Sequence, residues 1–132
     1  MKIFLDDERI PQDARKHTGN DIYNQEDWIL VRSFDEFKEY IQNTGLPELI
    51  SFDHDLAHEH YKYCFSKHIP YSEFIVKTGY HCLLWLILFC NMNSKSLPQI
   101  LIHTRNEQGK NNMINLCETY IMLALMKANP AK

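Results

Sequence analysis

Positive charge is scarce in this chain. Its 132 residues hold 14 Lys and Arg against 17 Asp and Glu, a net charge of -3, which excludes a protein that coats duplex DNA by bulk electrostatics. A small nucleotide or the end of an RNA strand is the partner to expect. Long apolar runs are also missing. The longest, Cys82 to Cys90 (C-L-L-W-L-I-L-F-C), is nine residues, half of the roughly 18 that a membrane span needs. It reads as a buried helix, and no membrane association is expected. The cysteines, Cys64, Cys82, Cys90 and Cys117, form no C-x-x-C pair. Lys2-Ile3-Phe4-Leu5 meets acid after three apolar residues, too soon for a signal peptide, so reduced thiols in a cytoplasmic protein are expected. No G-x-S-x-G occurs, so a serine nucleophile has no support. There is no internal repeat and no linker.

A hydrophobic fraction of 45% with 23% charged residues describes one ordinary domain with a sizeable core. Three apolar runs of strand length end abruptly in ionisable residues. Ile50-Ser51-Phe52 runs into Asp53-His54-Asp55, Lys2 to Leu5 into Asp6-Asp7-Glu8-Arg9, and Ile100 to Ile102 into His103-Thr104-Arg105-Asn106. Two carboxylates and an imidazole are costly to gather at a strand end unless something positive is held there.

The chain between these runs alternates. Pro11 argues against an immediate helix, and Gln12 to Asp27 reads as a long loop with at most a short helix, turning at Gly19-Asn20 and able to cover the site as a lid. Trp28 to Arg32 is a strand. Ser33 and Glu36 form an S-x-x-E capping box, and Phe34, Phe37 and Ile41 follow at helical spacing until Thr44-Gly45-Leu46-Pro47. Glu48 to Phe52 is the next strand. An irregular insertion of about 57–77 comes before Thr78, which caps a helix from about Gly79 to Asn91. Gly109 to Lys127 is amphipathic through Met113, Leu116, Cys117, Tyr120, Ile121 and Ala124, and its polar start offers free helix N–H groups to a phosphate. Right-handed crossovers then predict an α/β three-layer sandwich on a four-stranded parallel sheet, ordered 2-1-3-4. That order brings Asp6, Asp7, Asp53 and Asp55 together, with His103 arriving from the neighbouring strand.

The pattern resembles the receiver-type, flavodoxin-like fold, in which an acid pair after strand one and an Asp after strand three hold Mg²⁺ beside a phosphoryl group. Asp6, Asp7 and Asp53 occupy those positions. Against ordinary receivers, His103-Thr104 stands where a lone Ser or Thr is usual, and a fifth strand with its Lys is not visible. The chain is more similar to the cyclic-phosphate-processing receiver-like domains. It shares D-D-x-R (Asp6, Asp7, Arg9), D-x-D-L (Asp53, His54, Asp55, Leu56), T-G (Thr78, Gly79), H-[ST]-x-N (His103, Thr104, Asn106), and Gly109 followed by Asn112-Met113. The resemblance spans nearly the whole chain outside the insertion. It implies a metal-dependent phosphoesterase acting on a cyclic phosphate of a nucleotide or RNA end.

Hard carboxylate oxygens select Mg²⁺ or Mn²⁺, with Asp6, Asp7 and Asp53 as candidate ligands. His103 and His54, with Asp55, are the candidate catalytic residues, one activating water and another protonating the departing oxygen. Arg9 and Arg105 can neutralise phosphate charge, and Thr104 and Asn106 can donate to phosphate or cap the last helix. A binding module without turnover and a phospho-receiver using Asp53 are the competing readings. His58, His60, Cys64 and His68 form a rival zinc constellation, although their spacing matches no common finger. Tyr61, Tyr63, Phe65, Tyr71 and Phe74 either stack a base or pack the insertion onto the 79–91 helix. Either a monomer or a homodimer is compatible with the sequence.

Overall fold

Four apolar segments of four residues each set the architecture: β1 (Lys2–Leu5), β2 (Trp28–Val31), β3 (Leu49–Phe52) and β4 (Gln99–Ile102). The computed structural model describes residues 1–63 and 66–128. The strands are all parallel and ordered β2-β1-β3-β4, as expected from the sequence. Leu5 pairs with Val31 and Phe52, and Phe52 pairs with Ile102. β1, β3 and β4 therefore end flush, and Asp6, Asp53 and His103 emerge at one level. The helices are α1 (Pro11–Thr18), α2 (Phe34–Thr44), α3 (His58–Tyr61), α4 (Gly79–Met92) and α5 (Glu107–Ala128), with short 3₁₀ turns at Asp21–Asn24 and Tyr71–Glu73.

The two sheet faces are unequal. Ile3, Leu5, Ile50 and Phe52 point one way and join Phe37 and Ile41 of α2, Leu83 and Leu86 of α4 and Met113 of α5 in a core of fourteen buried side chains among the described residues. Phe4 points the other way, into a cluster whose buried members among the described residues are Phe4, Ala14 and Tyr23. At roughly 1.5–3 kcal/mol for each large apolar side chain buried, the first face supplies most of the stabilisation. The second face is left free to hold polar groups under a thin cover.

Two expectations about the early chain are corrected. Pro11 starts a helix instead of preventing one: it stands in the first turn of α1, where its missing N–H would have had no partner anyway. Gly19 closes that helix in the left-handed region (φ 73°). The segment is not a lid, because buried Ala14 and Tyr23 make it the second layer under β1. Ser33 does cap α2 by accepting from the Glu36 amide at 3.2 Å. Thr78 caps α4, and His81 Nδ1 returns the bond by accepting from the Thr78 amide at 2.9 Å, so an imidazole takes the place of the usual Glu. Among the described residues no helix is long and apolar enough to cross a membrane.

Candidate active site

The flush strand ends bring one candidate ligand atom each from Asp6, Asp53 and His103 to within 4.8 Å of one another, and all three residues are buried. Asp6 is held from both sides. Its Oδ1 accepts the amides of Glu8 (3.0 Å) and Arg9 (2.8 Å), and its Oδ2 lies 3.0 Å from His103 Nε2. Burial alone would push the Asp6 carboxyl up, but His103 and the two amides outweigh it and hold it below the ordinary value.

His103 is wholly buried. Phe4 stacks flat on its ring, with centroids 4.3 Å apart. Its Nδ1 is 2.7 Å from Ser51 Oγ, which is 2.6 Å from the Tyr23 hydroxyl. A carboxylate accepts only, so Nε2–H donates to Asp6; Nδ1 then accepts from Ser51, and Ser51 accepts from Tyr23. Burial holds the imidazole below its ordinary pKa despite the opposing pull of Asp6. This chain occupies the lightly covered second face. It accounts for a serine in the middle of an otherwise apolar strand.

The remaining acids are under repulsion. Burial first, and then Asp6 and Asp55, push Asp53 well above the ordinary carboxylate range, against the Thr104 hydroxyl and Arg9. Asp7 is pushed up to about 6 by burial and by Asp6. Its Oδ1 is buried without a hydrogen-bond partner among the described residues. An orphaned carboxylate oxygen beside two other acids is what a bound cation would satisfy, and a set rich in carboxylate oxygen suits Mg²⁺ or Mn²⁺. The residues present fit such an ion.

A second network lies alongside. His54 Nδ1 is 2.7 Å from Asp55 Oδ1, which also accepts from Asn106 Nδ2 at 3.1 Å. His54 Nε2 is 2.8 Å from the Tyr71 hydroxyl, and that oxygen accepts from Asn112 Nδ2 at 2.9 Å. Asn106 Oδ1 accepts the Gly109 amide at 2.9 Å, so one side chain both caps α5 and touches Asp55. His54 is nearly fully buried rather than facing solvent at a turn. Two glycines let the helices come this close. A Cβ on Gly79 would lie 1.7 Å from the Asp53 carbonyl oxygen, and one on Gly109 would lie 2.4 Å from His54 Cγ.

Other candidates divide. Thr104 is buried, bonds Asp53 through its side chain and accepts the Asn106 amide at 3.2 Å. Arg9 is half-buried and acts electrostatically on Asp53 and His103. Arg105 is exposed and makes no hydrogen bond or ion pair among the described residues, so it is not drawn into the cluster. Arg32, not anticipated, donates from Nη1 to the carbonyls of Asp6 and Arg9 and pins the loop after β1.

The insertion contributes Tyr61, whose hydroxyl is held above its ordinary pKa by burial and by Asp7, Asp53, Glu8 and Asp55, so it borders the acidic mouth. Tyr71 stacks on Tyr80 of α4 (4.3 Å, 17°), and Phe74 packs against His60 and Tyr63. These rings pack the insertion onto the domain, as one of the two expectations had it. Phe65 and Cys64 lie outside the described residues. Among the described residues the zinc constellation does not assemble: His60 Nδ1 accepts the Leu56 amide, its Nε2 donates to the Val76 carbonyl, and His58 and His68 are exposed.

Ser51, Tyr23 and Arg32 escaped sequence reading, and Tyr71, expected only as a stacking or packing ring, also bonds His54. Only Ser51 carried a signal, as the lone polar residue inside a buried strand, two positions from the acid on the same side-chain alternation.

A parallel 2-1-3-4 sheet with acids at the mouths of β1 and β3 and a hydroxyl residue after β4 defines a receiver-type α/β domain. More particularly, the chain belongs to the cyclic-phosphate processing receiver domain family, whose model matches residues 1–119. Comparison with curated proteins and with solved structures returned no match.

Proposed function

We propose that this domain is a metal-dependent phosphoesterase that opens a cyclic phosphate on a nucleotide or RNA end. Membership of a cyclic-phosphate processing family supports the substrate class. The observation that carries the metal is the buried Asp7 Oδ1, unpartnered among the described residues and repelled by Asp6. Asp6 itself belongs with Asp53 and His103 to a group able to hold an ion, so Asp6, Asp7 and Asp53 are the acids concerned. These three aspartates would hold Mg²⁺ or Mn²⁺, which when bound polarises a phosphoryl oxygen and lowers the pKa of a water. Water adds to phosphorus, one ester P–O bond of the ring breaks, and the released sugar oxygen takes a proton. A cyclic diester becomes a monoester.

The chain's own groups orient this chemistry. Arg9 offsets developing phosphate charge, while Thr104 and the first turn of α5 offer hydroxyl and amide donors. His103, bonded to Asp6 Oδ2, would hold that carboxylate in one orientation as a ligand. His54 and Asp55 hold Asn106, and through it the start of α5. On this reading both histidines position other groups, in place of the direct proton transfer expected from sequence.

A second reading rests on the same engagement. Both ring nitrogens of each histidine are already bonded, which suits a receptor that captures a cyclic phosphate without turnover. The competing phospho-receiver reading is weaker, because among the described residues the sheet has four strands and no fifth to carry a lysine.

The test is release of monoester from 2′,3′-cyclic, 3′,5′-cyclic and cyclic-oligonucleotide substrates with Mg²⁺, Mn²⁺ or EDTA. Metal-dependent turnover that Asp53→Asn abolishes supports the enzyme. Tight, metal-dependent binding without product supports the receptor.

A further inference from the structure

α5 is longer than the domain it packs on. Its 22 residues extend about 33 Å, against about 13 Å for a four-residue strand and about 21 Å for the 14-residue α4. The helix begins at the site, so its surplus length projects from the opposite end. That surplus is apolar on every side: all six residues from Ile121 to Met126 (I-M-L-A-L-M) are exposed. An overhanging helix end in water ordinarily carries a polar face. This one has none.

The neighbouring helix continues the surface. Leu84, Leu88 and Met92 fall at i, i+4, i+8 along α4 and are 37%, 52% and 82% exposed. Together with the five large apolar side chains of Ile121–Met126, they expose on the order of 900 Å² of apolar area in all, spread over more than one face of α5, since Ile121 lies toward Leu97 and Ile100 and Leu123 toward α4. The largest patch on a typical monomer is roughly 300–600 Å², and a standard interface buries about 800 Å² per partner. Between the two helices lies a cleft of about 530 Å³, lined by Ile87, Leu88, Tyr120, Leu123, Ala124 and Met126. A protruding row and an apolar cleft side by side are what a self-complementary, two-fold contact requires.

Charge selects the occupant. No Asp, Glu, Lys or Arg occurs in Gly79–Met92 or in residues 119–126. Two copies can therefore face each other without like-charge repulsion. A helix lying on a lipid surface needs a basic polar face, which this run lacks.

We infer that the chain forms a two-fold homodimer through α4 and the C-terminal half of α5, four helices meeting around the overhanging ends. The interface lies away from the acidic mouth, so dimer formation and metal binding are separable.

Sedimentation velocity of the full chain over a range of concentrations tests this. The expected mass is twice 15.7 kDa, and a Leu123→Glu/Met126→Glu variant is expected at the single-chain mass with an unchanged circular dichroism spectrum, since both side chains are exposed. Leu88→Glu, on the other helix, is expected to do the same and serves if the double variant does not fold. A wild type that stays at the single-chain mass throughout overturns the inference, as does a dimer that survives both variants. A monomer that floats with neutral phosphatidylcholine vesicles also overturns it, in favour of a lipid surface.

Discussion

His103 Nε2 meets Asp6 Oδ2 at 3.0 Å, across 97 positions of sequence, on a ring that Phe4 covers and Ser51 holds from behind. The bond turns one carboxylate oxygen of Asp6 toward the imidazole and leaves the orientation of the whole group fixed before any cation arrives. Groups that orient a metal ligand typically contribute 10–100-fold to metal affinity. His103→Ala is expected to weaken Mn²⁺ binding by about that factor and to destabilise the fold by roughly 2–4 kcal/mol through the cavity under Phe4. His103→Gln, which keeps an amide donor, should recover part of the affinity. Calorimetric Mn²⁺ titration and urea unfolding of the two variants separate the effects. Ser51→Ala should cost about 1–2 kcal/mol by leaving His103 Nδ1 and the Tyr23 hydroxyl unpaired.

The acids set a pH dependence whose sign follows from Asp7. Its folded carboxyl titrates at about 6, against an ordinary value of 3.8, so between those pH values the folded state binds more protons than the unfolded chain. The Asp7 contribution to metal-free stability therefore falls as pH rises through this window, and Asp53, raised for the same reasons, adds to it. His60, His81 and His103, held by burial below their ordinary value, act in the opposite direction. The difference in urea-unfolding stability between wild type and Asp7→Asn, in EDTA from pH 4 to 7, is expected to show the decline. Asp7→Asn should raise metal-free stability at neutral pH. Mg²⁺ or Mn²⁺ should raise the melting temperature of wild type and leave the variant nearly unmoved.

Gly79 and Gly109 are expected to differ under the same substitution. At Gly79 a new Cβ meets the backbone carbonyl of Asp53 at 1.7 Å, which cannot move without carrying β3. At Gly109 it meets the His54 ring at 2.4 Å, and a ring can turn. Gly79→Ala should cost more than about 3 kcal/mol and Gly109→Ala about 1–3 kcal/mol. Gly109→Ala should also disturb the His54–Tyr71 bond, visible as a shifted imidazole resonance by NMR.

The two arginines that follow the strand ends should not be equivalent. Arg9 acts on Asp53 from a half-buried position, whereas Arg105 is exposed and unpaired among the described residues. Arg9→Ala is expected to weaken the binding of inorganic phosphate to the Mg²⁺-loaded protein about tenfold, the scale of one hydrogen bond to a charged group. Arg105→Ala should leave it within about twofold. Equal losses would mean that Arg105 moves into the site on loading.

Much of this domain was legible in the chain itself. Apolar runs of strand length ending in Asp6-Asp7 and Asp53, with helical periodicity between them, specify a parallel α/β sheet, because alternation and 3.6-residue spacing are local consequences of backbone geometry. The right-handed crossover then decided the order 2-1-3-4, and with it which acids meet. The role of each polar side chain was decided only in three dimensions. Ser51 gains meaning from a ring 52 positions away and Tyr23 from Ser51, His54 from a glycine on the last helix, and Tyr71 from the insertion folding back onto α4. Such partnerships depend on which side of a shared surface a residue lands and on how closely two helices approach. These are properties of packing that no stretch of neighbouring residues records.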